Sequence, residues 1–131
     1  MKKIIIPAAL AFLTIILAVV IFNKPEGTNP QTVKASANVS VEKDNQTITI
    51  LAKGGYSPRN TNAKAGLATT LKIQTNGTFD CSSALIIPSL KYRKNLPPTG
   101  ETTVELPPQK PGTTIRGLCS MGMFNFTLNF N

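Results

Sequence analysis

Residues 113–130 read TTIRGLCSMGMFNFTLNF. Apolar and polar residues alternate through TTIRGLC at 113–119 and again through FNFTLNF at 124–130. A period of two reads as β-strand, because successive side chains on a strand point to opposite faces. The two runs flank a short sulfur-rich interruption in which Cys119, Met121 and Met123 are separated only by Ser120 and Gly122. The chain has two cysteines, three methionines including Met1, and no histidine. Apart from Met1, the remaining sulfur is Cys81.

The same alternation recurs upstream. Short runs rich in Thr, Val and Ile lie at 39–41, 47–52, 69–75, 83–87 and 102–106, separated by turn formers such as KGGYSP, NAKAG, TNG, LPPTG and PPQKPG. No segment after residue 30 shows a helical period. Seven or so short strands, spaced roughly ten residues apart, predict an all-β sandwich with Greek-key connections. Leu71, Ile73, Leu85, Val104, Leu106, Ile115, Phe126, Leu128 and Phe130 are the expected core.

The N-terminus has a different composition. Nineteen uncharged, mostly apolar residues run from Ile4 to Phe22, behind Lys2 and Lys3. At about 1.5 Å per residue a helix of that length covers roughly 28 Å, close to the ~30 Å of a bilayer interior. The run is longer than the apolar region of a signal peptide, and no Ala-x-Ala site follows it. Residues 1–24 therefore read as one uncleaved transmembrane helix. Residues 25–36, with Pro25, Gly27 and Pro30, read as a flexible tether spanning roughly 20 Å. Residues 37–131 read as the folded domain. From residue 33 onward eleven Lys and Arg face five Asp and Glu, a net charge of +6. Only Lys91, Arg93 and Lys94 cluster, and no aromatic residues interleave the basic ones as a nucleic-acid surface requires. An anionic membrane or an acidic protein suits this charge better.

On an extended backbone, residues 119, 121 and 123 share one face. On a helix, side chains two apart would diverge by about 200°. Thiolate and thioether are soft donors and suit Cu(I). Two cysteines cannot hold a four-thiolate iron–sulfur cluster, and zinc prefers imidazole and carboxylate beside its thiolates. A blue-copper site needs two imidazoles, which this chain lacks. Two other readings stay open: a Cys81–Cys119 disulfide in an oxidising compartment, and methionines that merely fill the core. No catalytic base, paired carboxylates or phosphate-binding glycine loop is present, so no enzymatic activity is expected.

The runs GGYSPRNTNAKAG (54–66) and TTLKIQTNGTFDCSSALIIPSLKYRKNLPPTGETTVELPPQKPGTTIRGLCSMGM (69–123) resemble cupredoxin domains. They look most like the histidine-free branch ending in Cys-x-Met-x-Met. With the apolar N-terminus added, the chain is similar to the CupA-like family of membrane-anchored Cu(I) chaperones. That resemblance implies a cupredoxin-like sandwich of about eight strands and a binuclear site for two Cu(I) ions. Cys81 and Cys119 would hold the tighter ion, and Met121 and Met123 the weaker one with a shared thiolate. It also implies a copper-exporting P-type ATPase as partner and a cytoplasm-facing domain. Positive-inside logic, with Lys2 and Lys3 ahead of the span, puts the domain on the opposite side.

Overall fold

The computed structural model describes residues 36–131. The expected anchor at 1–24, and all of the 25–36 linker but Ser36, lie outside the described residues. Among the described residues no helix is long and apolar enough to cross a membrane.

Ten strands form: β1 (Val39–Glu42), β2 (Asn45–Ala52), β3 (Tyr56–Ser57), β4 (Asn60–Ala63), β5 (Ala68–Asn76), β6 (Ala84–Ile87), β7 (Tyr92–Asn95), β8 (Thr99–Leu106), β9 (Thr114–Cys119) and β10 (Asn125–Phe130). The first sheet has the order β1-β2-β5-β8, and β3 pairs with β2 beyond the end of β1. The second has the order β4-β10-β9-β6-β7. The chain crosses repeatedly between sheets, and this builds parallel pairs at β2–β5 and β4–β10 within a mainly antiparallel sandwich.

Period-two patterning places the core. In β2, Gln46, Ile48, Ile50 and Ala52 turn inward; in β10, Phe126, Leu128 and Phe130 do the same. One apolar cluster spans both sheets, and it contains all nine residues expected from the sequence. It also takes in Ile48, Ile50, Ala52, Tyr56, Ala63, Ile87, Leu96 and Cys119. At ~1.5–3 kcal/mol for each large aliphatic or aromatic side chain removed from water, this cluster is the main stabilising term. Residues 32–131 form one compact unit, and its described strand pairings and core are internal to it.

Gly117 is required by a close approach. It sits directly opposite Phe126, and a Cβ there would overlap the Phe126 ring. The ring packs over the glycine and meets Tyr56 edge-on, with centroids 5.1 Å apart.

The observed strand count exceeds the expected eight because β3, β4 and β7 are two to four residues long and mostly polar. Their partners hold them in place. Thr61 and Ala63 of β4 are buried against β10, although NTNA carries no strand-like apolar pattern.

Candidate metal centre

Four connections gather at one end of the sandwich: β2–β3, β5–β6, β7–β8 and β9–β10. The Gly54 N–H donates to the Asp80 carboxylate at 2.8 Å, and a side chain on Gly55 would touch the Phe124 ring. The Thr78 N–H donates to the Pro98 carbonyl at 2.8 Å, and the Leu96 N–H to the Ser83 carbonyl at 2.7 Å.

Cys81 opens a single 3₁₀ turn, Cys81–Ser83, with Asp80 at its N-cap. The Asp80 carboxylate accepts from the Ser82 N–H at 2.8 Å and from the Ser82 hydroxyl, besides Gly54. Those bonds, led by the one from the Ser82 hydroxyl, hold its carboxyl below the ordinary carboxylate value. Tyr56 supports the turn from below, donating its hydroxyl to the Ser82 carbonyl at 3.0 Å. Burial, and secondarily the Asp80 charge, push the Tyr56 phenol well above its usual value, so it remains a donor. The motif Asp-Cys-Ser-Ser was open to reading as an N-cap signature. The contributions of Tyr56 and Gly54 were not, because both residues lie 26 positions away from the groups they bind.

Cys119 is the last residue of β9 and is fully buried. The strand ends there, and this corrects one expectation. Residues 120–124 form a tight connection with Gly122 at φ 71°, not an extended backbone, so simple alternation does not set the directions of Met121 and Met123. Backbone bonds close the loop: Cys119 N–H to Phe124 carbonyl at 3.0 Å, and Gly122 N–H to Cys119 carbonyl at 2.8 Å. The Ser120 N–H donates to the Ala84 carbonyl at 3.0 Å, tying the loop to β6. The Phe124 N–H donates to Cys119 Sγ at 3.4 Å, so the loop's own backbone caps that sulfur.

The structure brings Cys81 and Cys119 together as a disulfide, with Cα atoms 5.8 Å apart. Met121 and Met123 stand on the loop leaving Cys119 and are 73% and 64% exposed, so neither fills the core. Phe79, beside Cys81, is 82% exposed at the same end. Among the described residues, no three His, Cys, Asp or Glu side chains gather as a metal cluster. The sulfur atoms at this end are two cysteine sulfurs and two thioethers, and that donor set suits a soft monovalent ion.

Comparison with known proteins agrees with the fold. A family model described as a cupredoxin-like domain matches residues 11–127. The chain is similar to the metal-binding domain of the Cu(I)-exporting P-type ATPase CopA of Streptococcus pneumoniae D39, solved with Cu(I). Identity is 19%, the match covers 71% of this chain and 92% of that one, and the TM-score is 0.62. A copper-binding protein solved in its apo form is similar at 20% identity, with 71% and 94% covered and a TM-score of 0.64. No match was found among curated protein sequences. At these identities the likeness establishes the fold.

Proposed function

Because the chain belongs to the cupredoxin-like domain family, we propose that it binds Cu(I) through sulfur and passes the ion to a copper-exporting P-type ATPase. The observation that carries this reading is the convergence of Cys81 and Cys119 beside an exposed loop bearing Met121 and Met123, in a chain without histidine. The protein acts as a CupA-like chaperone, sequestering cuprous ions for copper tolerance, and catalyses no reaction. An ATPase metal-binding domain of the same fold supports the choice of acceptor.

In this reading Cys81 and Cys119 work as a thiolate pair. Two cellular thiols reduce the disulfide, becoming a disulfide themselves, and each cysteine thiol releases its proton on taking up Cu(I). The Phe124 N–H steadies the charge on Cys119. Asp80 and Tyr56 set the turn that carries Cys81. The methionines are neutral and exposed, so the second Cu(I) that they hold with a shared thiolate is weaker and leaves first. The apolar segment 4–22 anchors the chain in the cell membrane, with the domain facing a cytoplasm that keeps its thiols reduced.

The disulfide favours a second reading: an extracytoplasmic, disulfide-stapled binding module. Anaerobic Cu(I) titration of reduced residues 32–131 against a competing chelator separates the two. Two coppers per chain, one tighter, are expected. Cys81→Ser or Cys119→Ser abolishes tight binding, and Met121→Leu with Met123→Leu removes only the weaker ion. Loss of all copper to the chelator in the wild-type titration refutes the chaperone reading and leaves the stapled module.

A further inference from the structure

The charge of the domain is divided between its sheets. The five described acidic residues lie on β1, the β1–β2 turn, the β5–β6 loop and β8: Glu42, Asp44, Asp80, Glu101 and Glu105. None belongs to a strand of the second sheet, β4, β10, β9, β6 or β7. That sheet carries Arg93, Lys94 and Arg116, with Lys91 just before β7, and all four are exposed. The ion pair among the described residues, Lys72–Glu101 at 3.0 Å, lies on the other sheet. These four cations therefore have no carboxylate partner among the described residues.

The pairing register shows how they are arranged. Arg93 lies opposite Ile86, and Ile86 lies opposite Leu118. The buried neighbours Leu85, Ile87, Gly117 and Cys119 alternate with these positions, so Arg93, Ile86 and Leu118 form a row on the outward face. Arg116, two residues before Leu118, shares that face. Arg93 stands two strand spacings from Leu118, about 10 Å, and Arg116 lies about 7 Å along β9 from it. Ile86 and Leu118, both half-buried, occupy the outward register positions that lead from Arg93 to Arg116. Lys91 and Lys94 extend the charge along the β7 edge.

We propose that this outward face docks on a bilayer surface carrying anionic phosphate headgroups. Guanidinium groups are weakly hydrated and bind phosphate oxygens in pairs, and a half-exposed aliphatic strip beside them suits the headgroup boundary. Arg93 and Arg116 on this acid-free outward face, with Lys91 and Lys94 exposed along its β7 edge, supply the charge by which a basic cluster associates with anionic lipid. The proposal does not rest on copper binding.

The test uses residues 32–131, the compact unit without the apolar N-terminus, so that insertion of that segment plays no part. Vesicles of equimolar phosphatidylglycerol and phosphatidylcholine should sediment the domain at low salt, and vesicles of phosphatidylcholine alone should not. Raising the salt should release it, because exposed charges are screened. Arg93→Gln with Arg116→Gln should weaken binding by about fivefold per residue, roughly thirtyfold together, with an unchanged melting temperature. Lys43→Gln with Lys72→Gln removes the same charge from the other sheet and should leave binding within about twofold of wild type. Equal losses in the two variants would show a net-charge effect and overturn the assignment of the face. Sedimentation with both vesicle types, or binding only to an acidic polypeptide or to RNA, would overturn the lipid partner.

Discussion

Gly117→Ala tests how the core reaches the sulfur pair. The added Cβ would overlap the Phe126 ring, which is fully buried and cannot swing into solvent. Overpacking of this kind costs about 1–3 kcal/mol. For a domain near 100 residues, about 2 kcal/mol lowers the melting temperature by roughly 8–16 °C. The consequence extends further, because Phe126 meets Tyr56 edge-on and the Tyr56 hydroxyl holds the Ser82 carbonyl beside Cys81. Displacing the ring should therefore loosen the turn that carries Cys81 as well as weaken the fold. Urea denaturation gives the stability loss, and the rate of thiol alkylation in the reduced, still-folded protein gives the local effect. Phe126→Leu should relieve the overlap, so the double variant should be more stable than the two single losses predict, with a coupling of about 1 kcal/mol or more. Additive losses, or a Gly117→Ala loss below about 0.5 kcal/mol, would show that the strand pair absorbs the extra methyl group and that the packing reasoning is wrong.

Three further outcomes follow from the same geometry. Reducing the Cys81–Cys119 disulfide, which joins residues 38 apart in the chain, should cost about 4 kcal/mol on the chain-entropy estimate, measured as the difference between oxidised and reduced unfolding curves. Asp80 contributes stability that is present above its unfolded pKa, because hydrogen bonds depress its folded value, and that is lost as pH falls through that folded value. Asp80→Ala should therefore flatten the acid limb of the stability profile, and an unchanged limb would show that the cap bonds are not formed in solution. Leu substitution at both Met121 and Met123 should leave the melting temperature of the metal-free domain within about 2 °C of wild type, since both side chains are exposed; a large fall would mean that they pack in the fold.

Much of this architecture was open to a reader of the sequence. β1, β2, β5, β6, β8, β9 and β10 each coincide with an alternating run, and the nine expected core residues are all buried. Alternation is a local property, and burial of one sheet face follows from it directly. β3, β4 and β7 escaped because their residues gain strand geometry from their partners: β4 from the parallel edge of β10, β7 from the antiparallel edge of β6. The same distinction runs through the candidate site. The crowding of Cys119, Met121 and Met123 is written in the chain, as is the lack of histidine that restricts the donors to sulfur.

The conformation of that cluster and the arrangement around it came only with the tertiary structure. The strand stops at Cys119 because Gly122 takes a left-handed backbone and the Phe124 carbonyl accepts the Cys119 N–H, so the methionines leave the sheet on a tight loop. Cys81 meets Cys119 because the Asp80-capped turn is held by Gly54 and Tyr56, residues 26 positions away from the groups they bind. The division of charge between the sheets is likewise invisible along the chain, where basic and acidic residues are interspersed. Residue types and their spacing therefore determined the chemistry that is possible and the class of fold. Which groups converge, and which face carries the unpaired charge, depends on contacts between segments far apart in sequence, and only the packed sandwich supplies them.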